Sequence, residues 1–268
     1  MINSWRAGCF VGTMGRMSAI PESSAEAVLN DYDSFAEAYV AENETSLFNA
    51  YYTRPAVVEL AGDVAGRRIL DAGCGAGPIF SDLRDRGAVV SGFDSSAEMV
   101  RIGREKLGPD ADIRVADITQ PLPYADAEFD DVVSALVLQY FEDWTTPLAE
   151  LRRVLKPGGR LILVVNHPMI YKLAFPDTNY FDTTQWSDEY TFAGRPAVLT
   201  YWHRPLSAMS DAFAAAGFRT AHIAEPYPAP EAYELHADQL KGHKRFICFI
   251  FFVLESGLTA ALLRGSSI

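Results

Sequence analysis

Three cysteines in 268 residues leave little scope for covalent scaffolding. Cys9, Cys74 and Cys248 are far apart and odd in number, so the sequence suggests neither a disulfide framework nor a metal-ligand pair. Positive charge is also scarce: 23 Lys and Arg stand against 35 Asp and Glu, a formal net charge of −12. A surface that neutralises phosphates must be basic. The dense basic run here is His243-Lys244-Arg245 alone, so a nucleic-acid partner is not expected. Long apolar runs are missing as well. Phe246 to Leu254 is too short to cross a bilayer and reads as a central sheet strand. No membrane partner is expected. The first 17 residues hold Met1, Met14 and Met17 but no apolar signal-peptide core. Residues 1–23 are therefore expected to be a flexible arm, or translation to start near Met17, and the protein to be cytoplasmic with reduced, structural thiols. Repeats, low-complexity tracts and linkers are absent, which leaves a single domain over 24–268.

What the sequence does have is a glycine turn. Arg68-Ile69-Leu70-Asp71 is a short β-rich run ending in an acid, and Gly73, Gly75 and Gly77 follow at alternate positions. Residues without a Cβ let the backbone turn sharply and approach a ligand. A strand, such a turn and then a helix form the nucleotide site of open α/β sheets. The dinucleotide fingerprint G-x-G-x-x-G/A requires a small residue where Pro78 stands, so the pattern is D-x-G-x-G-x-G instead. A second apolar run, Ala88 to Phe93, ends in Asp94, 23 positions after Asp71 and suitably placed to accept both ribose hydroxyls. Ser95 reads as the cap of a helix from Ala97 to Leu107, with Glu98 completing a capping box. A strand from Asp112 to Ala116 precedes Asp117-Ile118. Another, Asp131 to Ala135, leads into Leu136-Val137-Leu138-Gln139-Tyr140. Glu150 to Gly159 reads as a helix end and turn before the strand Arg160 to Val165.

These pieces, in this order, resemble the type 11 group of class I S-adenosylmethionine-dependent methyltransferases, from about Asp31 to Glu255 and most strongly between Arg67 and Val165. The resemblance implies an α/β, Rossmann-like fold. Its sheet has seven mostly parallel strands, the last antiparallel beside the fifth, with helices on both faces and an aromatic-rich lid inserted. It implies S-adenosylmethionine as cofactor and S-adenosylhomocysteine as product. It assigns the methionine part to the glycine turn (Gly73, Gly75, Gly77), the ribose to Asp94 and the adenine to Asp117 with Ile118, and counts Asp71, Ser95 and Leu136 among the donor-binding residues. It also places N-terminal helices (24–61) over the donor, with Tyr32, Tyr39 and Tyr51 as roof candidates. An aromatic face from Tyr32, Tyr39 or Tyr140 would favour a sulfonium.

Residues 166–203 hold Tyr171, Phe175, Tyr180, Phe181, Trp186, Tyr190, Phe192, Tyr201 and Trp202. So long a connection reads as a lid or binding loop. Its rings suit an apolar, ring-containing or prenyl-like acceptor, and serve equally as a satellite core or a subunit interface. Loss of a proton from a nitrogen or oxygen acceptor calls for a base. His203 and His167 are the candidates, with Tyr140 and Gln139 orienting the acceptor. The expected function is methyl transfer to a small organic acceptor at N, O or C in specialised metabolism. The alternatives are a lipid-quinone-type C-methyltransferase, a non-transferring cyclase or scaffold that binds the donor, and, from another class, an NAD-linked oxidoreductase, against which Pro78 argues. A homo-oligomer is left open.

Overall fold

Runs of β-branched and aromatic residues with no polar interruption belong in strands covered on both faces, and here they lie side by side. The computed structural model describes residues 30–192 and 194–257, the Arg195 side chain apart. The arm 1–23, residues 24–29 of the expected cap and the tail after 257 lie outside the described residues. Seven strands form one sheet: β1 (Arg68–Ala72), β2 (Val89–Asp94), β3 (Asp112–Val115), β4 (Phe129–Ala135), β5 (Leu155–Asn166), β8 (Phe218–Ala224) and β9 (Phe249–Ser256). Their order is β3-β2-β1-β4-β5-β9-β8, and β9 alone runs opposite to the other six. The expected seven-stranded Rossmann-like sheet is what the chain forms.

Side chains alternate across each strand, and this splits the core in two. Leu70, Val132, Leu161 and Phe252 pack on one face, against α5 (Thr145–Val154) and α7 (Leu206–Ala215). Ile69, Val133, Ile162 and Phe251 pack on the other, against α2 (Arg54–Ala61) and α3 (Pro78–Asp85). Deleting one of these buried side chains to alanine costs about 2–5 kcal/mol. Below the site, at the amino-terminal ends of the strands, the fully buried Asp131 takes hydrogen bonds from Arg67 Nε at 2.5 Å and Arg160 Nε at 2.8 Å. Burial pushes its carboxyl up, but the two guanidinium groups outweigh this and hold it below the usual range.

Several local readings shift. The cap of α4 (Ala97–Leu107) is Ser96, which accepts the Met99 N–H at 3.0 Å; Ser95 is one residue too early to reach it. The Lys156-Pro157-Gly158-Gly159 segment is not a free turn. It extends β5 backward so that Leu155 pairs with Phe129 across a register irregularity, with Gly158 at φ +77°. The last strand begins at Phe249, three residues after Phe246.

Segment 166–203 holds α6 (Pro168–Ala174) and a hairpin of β6 (Thr184–Phe192) and β7 (Arg195–His203), paired from Thr184–His203 to Phe192–Arg195. One face of that hairpin carries Trp186, Tyr190, Phe192, Leu199 and Tyr201. It packs on Tyr32, Phe35 and Tyr39 from the N-terminal cap, a 3-10 turn (Tyr32–Phe35) followed by α1 (Ala36–Asn43). Asn30 pins the two together: Nδ2 donates to Thr200 O at 3.1 Å, and the Thr200 N–H donates back at 2.8 Å.

Candidate functional site

In the order 3-2-1-4-5 the strand sequence reverses between β1 and β4, and a crevice opens there at the carboxyl ends of the strands. A cavity of about 570 Å³ fills that crevice. Its walls include Asp71, Gly73, Gly75, Gly77, Asp94, Ser95, Asp117, Ile118, Leu136, Tyr32, Tyr39 and Tyr140. These twelve positions, chosen from the sequence, are brought around one space.

The three glycines do different jobs. Gly73 sits at φ +74°, and a Cβ there would lie 2.3 Å from Val137 Cγ2; at Gly77, φ +80°, it would lie 2.4 Å from Leu107 Cδ1. Both are closed in by protein, and Gly77 serves as the left-handed residue before Pro78 opens α3. Gly75, φ +54°, has nothing within 4 Å of its would-be Cβ. Of the three, it is Gly75 that faces open space in the cavity.

Two carboxylates flank the turn. Asp94 accepts the Gly75 N–H on Oδ2 at 2.8 Å and the Ser96 N–H on Oδ1 at 2.9 Å, so it shapes the turn it adjoins. Each oxygen keeps a lone pair for a further donor. Burial raises its pKa, against hydrogen bonds from Ser96, Gly75 and Ser95 that lower it. Asp71 is 2% exposed, its Oδ2 has no hydrogen-bond partner, and burial pushes its carboxyl up to about 7. A buried polar atom without a partner demands an explanation; on a cavity wall, a donor or cation supplied by a ligand is the physical answer. Asp117 is exposed and uses Oδ1 on the Thr119 N–H at 2.8 Å, which fixes the turn beside buried Ile118. Leu136 has φ +61°, a strained value for a branched residue, and its N–H donates to Val164 O at 2.8 Å.

S-adenosylmethionine fits these residues. The unsatisfied Asp71 oxygen suits an ammonium tail, the empty side of Gly75 lets main-chain amides approach a carboxylate, the spare lone pairs of Asp94 suit paired hydroxyls, and Ile118 with Leu136 offers apolar cover for a ring. The cap is latched above this by Asp33, whose Oδ1 accepts both Ser96 Oγ at 2.5 Å and the Glu98 N–H at 3.0 Å. Asp33 escapes sequence reading because nothing in Asp31-Tyr32-Asp33 announces a partner over sixty residues away. Asn43 and Asn49 are a second omission: they join at 2.6 Å and also line the cavity, from the end of α1 and the start of a π-helical turn (Asn49–Thr53) whose spacing carries no motif.

A second cavity, of about 700 Å³, lies under the hairpin and shares Tyr32, Tyr39, Leu136 and Tyr140 with the first. Gln139, Trp186, Tyr190 and Tyr201 also line it. The Tyr32 and Tyr140 hydroxyls meet at 2.5 Å on the shared wall.

The histidines are elsewhere. His167 accepts the Met169 N–H on Nδ1 at 3.1 Å, capping α6, and its Nε2 faces Glu225 Oε1 at 2.9 Å. His203 donates Nε2 to Tyr180 O at 2.8 Å and stacks on Tyr171 with ring centroids 4.6 Å apart. Burial lowers the pKa of both, and neither lines either of the two cavities above; capping and packing engage both rings. Tyr51 lines neither cavity and packs at a tilt against His236, 5.1 Å between centroids.

Residues 70–163 match the methyltransferase domain family of type 11. The chain is 34% identical over 139 residues to the demethylmenaquinone methyltransferase of Renibacterium salmoninarum, covering 51% of this chain and 58% of that protein. The Lactococcus lactis protein of the same name is 31% identical over 172 residues, 59% and 66% of the two chains. The chain thus spans just under two thirds of the length of these relatives, or less. Among solved structures, a methyltransferase of Mesorhizobium loti dependent on S-adenosylmethionine superposes with a TM-score of 0.60 at 22% identity, over 80% of this chain and 99% of its own. The 1,6-didemethyltoxoflavin-N1-methyltransferase of Burkholderia thailandensis, solved with its acceptor and S-adenosylhomocysteine, gives 0.55 at 14% identity, over 90% and 96%. At such identities the likeness speaks for the fold. The chain therefore has the fold of these solved methyltransferases, and its residues 70–163 match the type 11 methyltransferase domain.

Proposed function

We propose that this protein transfers the methyl group of S-adenosylmethionine to a small, apolar, ring-containing acceptor bound in the cavity under the hairpin. The observation that carries this is the shared wall: Tyr32, Tyr39, Leu136 and Tyr140 border both cavities. A donor in one and an acceptor in the other would meet there. When bound, the donor supplies an electrophilic methyl on a sulfonium. The chain supplies orientation and exclusion of water, from which most of the acceleration of such a displacement can come. Asp71 and the Gly75 side of the turn hold the amino-acid tail, Asp94 the ribose, Asp117 and Ile118 the adenine. The faces of Tyr32, Tyr39 and Tyr140 favour the positive sulfur. The aromatic hairpin face excludes water from the acceptor and grips its ring.

A quinone-type acceptor methylated on carbon has specific support, because the Renibacterium and Lactococcus relatives are named demethylmenaquinone methyltransferases. Incubation with S-adenosylmethionine labelled in its methyl group tests both readings. A reduced naphthoquinone lacking the ring methyl is one acceptor, and a panel of phenols and heterocyclic amines is the other. Label on the naphthoquinone carbon alone supports the quinone reading; label on oxygen or nitrogen supports the broader one. Tight S-adenosylhomocysteine binding by calorimetry, with label reaching no acceptor in either set, would leave a donor-binding scaffold or cyclase.

A further inference from the structure

β6 places one carboxylate where apolar neighbours surround it. Asp188 lies on the same strand face as Trp186, Tyr190 and Phe192 and pairs across the hairpin with Leu199. It is 0% exposed, and neither carboxylate oxygen has a hydrogen-bond partner among the described residues. A leucine or asparagine there would fill the space at lower cost, since a buried, unpartnered carboxylate is among the more expensive groups a fold can hold. Two residues along, Tyr190 lines the cavity under the hairpin, and its hydroxyl accepts from the Tyr201 hydroxyl at 3.2 Å. Tyr201 also lines that cavity and packs at a tilt against Tyr140, with ring centroids 5.4 Å apart. The phenols thus run from the wall shared by the two cavities toward Asp188.

We propose that Asp188 is the proton sink of the transfer reaction, reached from the acceptor through the hydroxyls of Tyr201 and Tyr190. This rests on the methyl-transfer reading given above. As acceptor X attacks, the X–CH3 bond forms, the sulfur–methyl bond breaks and its electron pair stays on sulfur. The proton lost by X passes to Tyr201 while Tyr201 passes its own to Tyr190 and Tyr190 to the Asp188 carboxylate. The products are methylated X, a neutral thioether and a neutral carboxylic acid, which returns its proton to water when the product leaves. A swing of the whole Tyr190 side chain toward Asp188 closes the last gap.

Burial raises the Asp188 carboxyl to about 6. The other titratable groups on elements packed around it are Tyr201 from β7, Tyr32 and Tyr39 from the cap, Tyr140 after β4 and Tyr171 from α6, with Glu189 beside it on β6. His203, at the end of β7, spends Nε2 on the Tyr180 carbonyl. Burial pushes the phenols of Tyr32, Tyr39, Tyr140, Tyr190 and Tyr201 up, so an ionisation near 6 in the rate would belong to Asp188.

The test is single-turnover transfer from methyl-labelled S-adenosylmethionine to reduced naphthoquinone lacking the ring methyl, between pH 5 and 9. The parent should show an acid limb near pH 6. Asp188→Asn should bind S-adenosylhomocysteine as the parent does, transfer about 10²-fold more slowly, and lose that limb. Tyr190→Phe should do the same, and the double variant should be no slower than either single one. Where Asp188→Asn does not fold, Tyr190→Phe carries the test. Parent-like rates and an intact acid limb in these variants overturn the relay and leave the transferase reading standing. A parent that labels neither this acceptor nor any phenol or amine overturns the transferase reading and the relay with it.

Discussion

Alanine at Gly75 and at Gly73 should separate ligand binding from folding. Both residues lie at positive φ, where a side chain costs about 1–2 kcal/mol. Replacing glycine recovers about 0.4–1 kcal/mol from the unfolded chain. At Gly75 nothing meets the new methyl, so the net loss is about 1 kcal/mol and Tm falls by roughly 2–4 °C for a domain of this size. At Gly73 the methyl would sit 2.3 Å from Val137 Cγ2. Val137 is β-branched and cannot easily swing aside, so overpacking adds about 1–3 kcal/mol and Tm falls by roughly 5–15 °C. Binding should order the two variants the other way, per unit of lost stability. The Gly75 methyl points into the space assigned to the donor's amino-acid tail. S-adenosylhomocysteine should therefore bind at least tenfold more weakly, a loss of about 1.4 kcal/mol, in a protein that melts nearly as the parent does. Thermal melts and titration calorimetry on the two proteins suffice. Parent-like affinity in Gly75→Ala would mean that the donor does not approach this turn, and the placement of its tail would be wrong.

Asp94→Ala removes the acceptor for the ribose as well as for Gly75 and Ser96. With about 1.5–3 kcal/mol per hydrogen bond to a charged group, calorimetry should find S-adenosylhomocysteine binding weakened 10²-fold or more; near-parent binding sinks the ribose assignment. Asp71 gives a pH signature. Its folded pKa is raised from 3.8 to about 7, so stability is full below the usual carboxylate range and falls as pH climbs to 7, by an upper bound of about 4 kcal/mol. Asp71→Asn should therefore melt higher than the parent at pH 8 and about equally at pH 4, while binding the donor more weakly; no pH dependence in the difference would refute the buried charge. Asp131→Ala leaves Arg67 and Arg160 without their shared carboxylate and should cost about 3 kcal/mol, the low end for a broken buried pair because both guanidinium groups reach solvent. Donor affinity should be unchanged, since Asp131 lies at the other end of its strand, and a loss of binding out of step with the loss of stability would contradict that separation.

What the sequence made legible follows from how locally each feature is encoded. D-x-G-x-G-x-G and the acid ending β2 are fixed by the backbone path within a few residues, so Asp71, Gly75 and Asp94 fall where spacing puts them. The strands of the sheet are continuous apolar runs and read the same way, with boundaries off by a few residues at Phe249 and Leu155. The positions of the histidine rings were not legible, for the opposite reason. His167 and His203 were placed near strand ends by topology, but local bonds to Met169 and Tyr180 decide where their rings point. Asp33 reaching Ser96 and Asn30 reaching Thr200 are long-range pairings between short polar side chains, and no period or spacing marks them. The buried Asp188 is visible only once the hairpin register shows it on the aromatic face.

The strained backbone at Leu136 explains why the two cavities meet where they do. A leucine at φ +61° costs about 1–2 kcal/mol, and such a cost persists when surrounding contacts over-determine the conformation. Here they do: the Leu136 N–H is held by Val164 O, and Val137 closes over Gly73. The bend ends β4 abruptly and starts the 3-10 turn Leu138–Tyr140, which brings Leu136 and Tyr140 to the wall that both cavities share. A relaxed β4 would carry Tyr140 further along the strand and away from Tyr32, whose hydroxyl it now meets. Leu136→Gly should relieve the strain and, by freeing this bend, loosen Tyr140. Stability should then change little, since the cavity left by the lost side chain offsets the gain, while the rate of transfer falls with donor affinity nearly kept. Unchanged single-turnover rates in that variant would show that the bend is a folding accident and not the device that aligns the two sites.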